Sequence, residues 1–315
     1  MEALFRGKGI FVFSDPGGAK PLLALADSLS GKLVETRLIS DRKYAFYQEF
    51  NSAVNQIEES AYETLQKFRP DFVLTATSYT SRIELEFINA AKILTIPVYS
   101  FLDHWTSIRE RFNFEGNEFL PDQILLIDER AKQIAIEQKL SAEMLIVFGN
   151  PYYEYLHSWK PSISRKEFLA SIGLVDVGKK LVVFAPDPLS NIGGKDKYGF
   201  DEGSASELFN SVIENFADSL HFIVKPHPNQ NIGILKKILH TDFILLSSEA
   251  DTNTLIYYSD IVIGFFSNFL IEAELLKSKV IRFLPGLHFS DPLSGSQIGT
   301  VVYNIDELAK LLKTV

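Results

Sequence analysis

Short apolar runs alternate with stretches of helical period along the whole chain, a rhythm that predicts strands joined by helices. In the first half, residues 9–14, 34–40, 71–78, the run opening at Ile96, 123–128 and 144–151 read as strands. Helices are predicted between them at 21–31, 43–50, 61–68, 83–94 and 129–139. The segment 152–165 mixes aromatics, Pro161 and serines without a clear period, and the rhythm restarts after it. The second half carries a helix over 165–172 and strands at 180–190, from Phe222, at 243–247, twice within 259–284, and near the end. Its remaining helices fall at 205–216, 232–239, 252–258, within 259–284 and at the terminus. Strand-helix units with short turns indicate α/β architecture, with two Rossmann-like, doubly wound parallel sheets. The boundary is placed at the aperiodic segment, giving domains 1–150 and 151–315, the last helix being a candidate to fold back on the first domain.

In such sheets ligands bind where strands end, so the exits carry the candidate chemistry. FIVKPHP stops a strand and presents Lys225 and His227, with Pro226 and Pro228 stiffening the turn. A plain strand exit with a solvated lysine and a histidine satisfied by backbone is the structural alternative. The first strand runs into DPGGAK, where Asp15 precedes Gly17 and Gly18, which let the backbone approach a ligand. FLDHWTSIRERF places Asp103, His104, Trp105, Arg109 and Arg111 at another exit. Asp187 stands between two prolines, and 191–204, rich in glycine and charge, reads as a mobile loop beside the site. GFFSNFLIEAELL sets Ser267 and Asn268 where a strand hands over to a helix, with Glu272 about one turn further in.

Composition narrows the partners. A net charge of −9 and a pI near 5.3 argue against nucleic acid held by bulk electrostatics. With no cysteine, thiolate nucleophiles, disulfides and sulfur-ligated zinc are excluded, and a cytoplasmic location is expected. No apolar run approaches a membrane span, which leaves peripheral membrane association as the open alternative. The first strand is not followed by GxGxxG, so a nicotinamide cofactor is not expected. No DxD or evident metal-ligand spacing occurs, and no metal or other cofactor is expected.

KPHP followed by SDIVIG, FFSN, LIEAELL and KVIRF resembles the carboxyl-terminal half of bacterial GT-B glycosyltransferase-type proteins. Among these are the capsule, lipopolysaccharide and teichoic-acid polymer enzymes and the related UDP-N-acetylglucosamine 2-epimerases. The resemblance is clearest over 182–284, with GNP at 149–151 in support. It implies two Rossmann-like domains facing across a cleft, the second holding a nucleotide-sugar donor and the first a saccharide or lipid-linked acceptor. His227, Ser267 and Asn268 would then contact phosphate and Glu272 the ribose. Gly17, Gly18, Asp187 and Lys225 complete the expected donor site. Asp15, Asp103 and His104 are the candidates for the base that glycosyl transfer requires. The 2-epimerases carry a His-Val-Glu-Ala-Gly-Leu-Arg segment that FLDHWTSIRERF does not reproduce. The expectation is therefore a metal-independent glycosyltransferase of cell-surface polysaccharide synthesis. The alternatives are a sugar-nucleotide epimerase, a polyol-phosphate transferase, or a silent nucleotide-sugar-binding module.

Overall fold

The computed structural model describes residues 4–213, 215–227, 230–240, 243–247 and 250–314. Pro228, the second proline of KPHP, lies outside the described residues. The chain forms two compact units, Met1–Tyr155 and Leu156–Val315. Among the described residues no helix is long and apolar enough to cross a membrane.

Unit 1 contains strands β1 (Lys8–Val12), β2 (Glu35–Ser40), β3 (Val54–Gln56), β4 (Phe72–Thr75), β5 (Val98–Leu102), β6 (Asn113–Phe114), β7 (Asn117–Glu118), β8 (Gln123–Leu126) and β9 (Leu145–Val147). Its helices are α1 (Pro16–Ser28), α2 (Ala61–Phe68), α3 (Ile83–Ile93), α4 (Glu129–Glu137) and, across the unit boundary, α5 (Pro151–Ser158). Seven strands form one parallel sheet in the order β3-β2-β1-β4-β5-β8-β9, while β6 and β7 make a separate hairpin.

Unit 2 begins with α6 (Arg165–Ser171) and continues through β10 (Lys180–Ala185), α7 (Gly194–Tyr198), α8 (Glu202–Ile213), β11 (Leu220–Val224), α9 (Ile232–Ile238), β12 (Phe243–Leu245), α10 (Thr252–Tyr258), β13 (Ile261–Gly264), α11 (Asn268–Leu275), β14 (Lys279–Phe283), β15 (Thr300–Val302) and α12 (Ile305–Leu312). Its six strands are parallel in the order β12-β11-β10-β13-β14-β15. Both sheets start in the middle, run to one side, then cross back and continue on the other. The switch points lie between β1 and β4 and between β10 and β13, where a ligand crevice forms in this topology.

The core explains the apolar runs. Every residue of β4 and of β13 is buried, as strands covered on both faces require. In unit 2, Phe184, Phe209, Phe222 and Phe265 form the centre, with Phe184 and Phe209 rings 4.9 Å apart. The helix α12 packs on α8 and beside β15 within the same unit.

Register is fixed by a device used three times. An aspartate just before a strand donates its amide to a neighbour's carbonyl and accepts that neighbour's amide on its carboxylate. Asp71 does so with Lys8, at 2.8 and 2.7 Å. Asp122 does so with Val98, at 2.8 and 2.9 Å, and Asp260 with Leu181, at 2.9 and 2.8 Å. Each pair satisfies backbone groups at the amino edge of a parallel ladder, where the first amide otherwise lacks a partner.

Several elements differ from the sequence reading. The first helix starts at Pro16 rather than Pro21, because a proline at the first helical position has its φ preset and the amides of Gly18 and Ala19 already bond to the Asp15 carbonyl. The helix expected over 43–50 is a short 3₁₀ turn, Ala45–Glu49. The segment after Pro151 is helical, its aromatics being packing groups: Tyr152 stacks on Tyr155, and Tyr155 meets Phe50 in a tilted contact. The expected mobile loop at 191–204 folds instead into a 3₁₀ turn, α7 and the start of α8, with Tyr198, Phe200 and Glu202 buried. Positive-φ glycines at 193 and 199 bound α7 and allow the sharp reversals.

Replacing Asp260 by alanine is expected to lower the stability of unit 2 by about 1–3 kcal/mol in a denaturant titration, because the Leu181 amide loses its acceptor. Replacing Glu59, whose ion pair with Lys67 is exposed, leaves the transition where it was. Equal effects of the two changes would contradict the register role.

Candidate functional site

At the carboxyl edge of the unit 2 sheet, three strand exits meet around the switch point. Past β10, Asp187 reaches the turn after β13 and accepts the Phe266 amide at 2.8 Å. Ser267 also donates to it, through hydroxyl and amide. Asp187 keeps part of its surface exposed, but its carboxylate is turned into this packed turn. Burial pushes its pKa up to about 6, opposed by the Phe266 and Ser267 donors and assisted by nearby Glu202. Ser267 occupies the N-cap of α11 with extended backbone angles, yet its hydroxyl does not cap the helix. Asp187 thus engages part of the turn that the sequence offers to an external anion, and the start of α11 at Asn268 lies beyond it.

Lys225 is buried at the end of β11, its amide bonded to the Phe184 carbonyl at 2.9 Å and its ammonium 3.4 Å from the Pro226 carbonyl. His227 is half-buried, and its backbone is clamped by Gln230, whose side chain accepts the His227 amide at 3.1 Å while its own amide returns to the His227 carbonyl at 3.0 Å. Glu272 lies past the first turn of α11 and is buried rather than solvated, and Asn268 opens that helix half-buried. Behind the turn, the fully buried Arg282 donates from Nε to the Phe265 carbonyl at 3.3 Å and pairs with Asp291. Glu202 accepts from the Ser190 amide at 2.9 Å and from the Ser190 hydroxyl.

The unit 1 edge is built alike. Asp15 follows β1 and accepts from three successive residues after β4: Ser78 Oγ at 2.7 Å, the Tyr79 amide at 3.2 Å and Thr80 Oγ1 at 2.7 Å. Asp103, buried at the end of β5, pairs with the buried Arg111 at 2.8 Å, and Arg111 also donates to Thr77 at 3.0 Å. Burial works against the Arg111 charge, but Asp103 and Tyr79 more than offset it and hold its pKa above the ordinary value. What approaches Gly17 is Asp103 itself: a Cβ there would lie 2.3 Å from Asp103 Oδ2, and one on Gly18 would lie 2.5 Å from the Ala76 Cβ. His104 is half-buried, and its Nδ1 accepts the Thr106 amide at 3.3 Å, so the neutral ring carries its proton on Nε2.

Sequence reasoning passed over Glu84, Arg111 as a buried partner, and Glu202. Glu84, within the helix expected over 83–94, is 1% exposed, and its carboxylate oxygens find no side-chain partner among the described residues. Only the fold, which lays the first turn of α3 beside the β1 exit, reveals it. Burial pushes its pKa up to about 8, with the charges of Asp15 and Asp41 adding and nearby backbone amides opposing. The Ser14 hydroxyl at that exit is likewise buried without a partner.

No protein-family model matches the sequence, and no curated protein sequence matches it. Solved structures do share its fold. MnaA of S. aureus, determined with UDP, has 16% identity and a TM-score of 0.66 over 97% of this chain and 87% of that one. The UDP-GlcNAc 2-epimerase of Neisseria meningitidis, bound to UDP-GlcNAc, has 14% identity and a TM-score of 0.66 over 98% and 91%. HepE of Anabaena, in complex with UDP-glucose, has 16% identity and a TM-score of 0.64 over 97% and 89%. The fold is GT-B-like, with two parallel-sheet units, as the motifs suggested. The glycosyltransferase expectation is corrected: the solved neighbours are repeatedly UDP-GlcNAc 2-epimerases, despite the departure of FLDHWTSIRERF from the epimerase segment.

Glu84 gives the site a pH signature. Its folded pKa lies above the unfolded 4.5, so its contribution is most favourable at low pH. Stability then falls as pH rises from about 4.5 to about 8, by on the order of 3–5 kcal/mol for a shift of this size. Glu84→Gln is expected to flatten that window in denaturant titrations run from pH 5 to 8.5. An unchanged slope would remove the buried carboxyl as its cause.

Proposed function

We propose that the protein binds a UDP-linked sugar and inverts one carbon of the sugar ring, as an epimerase does. The observation that supports this best is a shared fold over 97–98% of the chain with UDP-GlcNAc 2-epimerases. The polar strand exits add to it. In unit 2, Lys225 and His227 supply cationic and imidazole chemistry for a diphosphate, Ser267 and Asn268 the helix terminus, and Glu272 a carboxylate for the ribose hydroxyls. Asp187 holds the turn that positions them.

Inversion at C2 breaks its C–H bond, and because no carbonyl adjoins that carbon the electron pair forms a C1–C2 double bond as the anomeric C–O bond breaks and UDP leaves. UDP then returns to C1 while a proton is delivered to the other face of C2, so a base and an acid are both needed. Asp103 and His104, adjacent in unit 1, are the residues we assign to these two roles, the Oδ1 of Asp103 being fixed by Arg111. Asp15 fits a supporting role, since its carboxylate already receives three donors. The reading needs no acceptor saccharide and no metal, and it places the protein in the cytoplasm, where nucleotide sugars are made.

The test is proton NMR of UDP-GlcNAc with the protein in D₂O. A new set of anomeric signals lacking coupling to the C2 proton is expected, because the returning hydrogen comes from solvent, and chelator leaves the rate unchanged. His227→Ala and Glu272→Ala should each weaken UDP binding roughly tenfold, the loss of one charge-assisted contact. Asp103→Asn, which keeps an oxygen acceptor for Arg111 but removes the carboxylate, should stop turnover with UDP affinity intact. A protein that neither binds UDP nor exchanges the C2 proton is not this enzyme.

A further inference from the structure

Tyr79, in the turn between β4 and α3, leaves 59% of its surface exposed at the carboxyl edge of the unit 1 sheet. Single exposed aromatics are common and need no explanation, but this one is held unusually firmly. Its amide donates to Asp15, and the side chains of Ser78 and Thr80 on either side are bonded to the same carboxylate. Arg42 donates to the Thr80 carbonyl at 3.3 Å and ties the turn to the exit of β2. The inner face of the ring lies over the Arg111 guanidinium, 4.6 Å from its centroid, and Arg111 is fixed in turn by Asp103 and Thr77. The ring is therefore immobilised before any ligand arrives, and its outer face stays open to solvent.

From this geometry we infer that the outer face of Tyr79 is a stacking platform for a pyranose ring. The inference rests on the sugar-nucleotide reading above and names the side chain that selects the sugar. A pyranose presents a face of C–H bonds, which carry slight positive charge and lie flat on the negative face of an aromatic ring. Asp103 neutralises Arg111, so the cation behind Tyr79 does not drain that face. The groups around the ring suit hydroxyls: Asp15, with three donors already, keeps one acceptor position, and the oxygen of the Thr80 hydroxyl lies beside it. The phosphate end of a nucleotide finds no such welcome, because Arg111 is committed to Asp103 and Arg42 to Thr80. A preformed platform loses little side-chain freedom on binding, so its contribution reaches the measured affinity.

The experiment uses the full chain with UDP, UDP-GlcNAc and free N-acetylglucosamine as probes, and compares Tyr79→Ala, Tyr79→Leu and Tyr79→Phe. Leucine keeps Arg111 covered without a flat ring, so it controls for disturbance of the turn. Isothermal titration should show UDP-GlcNAc weakened roughly three- to tenfold by the alanine and leucine changes, with UDP unchanged and phenylalanine equal to wild type. In saturation-transfer NMR, aromatic protons should pass magnetisation to the ring C–H protons of N-acetylglucosamine in wild type and Tyr79→Phe but not in Tyr79→Leu. Equal weakening of UDP and UDP-GlcNAc would mean that Tyr79 meets the base or merely supports the fold, and would overturn the proposal. No transfer to N-acetylglucosamine in wild type would overturn it as well. Transfer without any UDP affinity would uphold the platform and reject the nucleotide-sugar reading alone.

Discussion

A parallel strand pair leaves backbone groups unanswered at both ends, and this chain answers them with aspartates. At the amino edge, Asp71, Asp122 and Asp260 each exchange two hydrogen bonds with the residue across the ladder. At the carboxyl edge, Asp15 and Asp187 reach over the switch point to the turn that follows the partner strand. Both are followed by proline and precede a helical turn, so the two units close their crevices by one recipe. An aspartate suits the task because its short side chain reaches a neighbouring backbone amide and loses little rotamer freedom in doing so. The turns after β4 and β13 are positioned by these carboxylates.

The same arrangement explains where charge is buried. Arg111 and Arg282 both lie behind turns at the carboxyl edges, each neutralised by an aspartate and each tethered to a neighbouring oxygen. Such pairs contribute little net stability, since desolvation consumes much of the attraction, but removing one partner strands the other. They fit sites where position matters more than strength. Glu84 is handled differently: it is buried at the exit of β1 with no ion pair among the described residues, and burial pushes its pKa up to about 8.

The fold was legible because buried parallel strands announce themselves as unbroken apolar runs, as at β4 and β13. KPHP and GFFSN identified real strand exits, since prolines and a Ser-Asn pair break such runs abruptly. Partnership was less legible. Nothing local says that Asp187 fills the turn at Ser267, because the two are brought together only by the pairing of β10 with β13. The glycines and charges of 191–204 suggested a loop, while the burial of Tyr198 and Phe200 against Phe266 overrides that local preference. Chemistry was hardest to read, since one fold hosts transfer and epimerisation alike and the motifs shared by both cannot choose between them.

The contact between Gly17 and Asp103 has an evolutionary side. With Asp103 Oδ2 2.3 Å from where a side chain at position 17 would begin, neither residue is free to drift alone. A larger residue at 17 becomes admissible only after 103 has shortened or turned away, and a turned-away 103 would abandon Arg111 in the interior. Positions 17, 103 and 111, on three separate stretches of chain, are thus sterically and electrostatically coupled, so that a larger residue at 17 calls for changes at 103 and 111 as well.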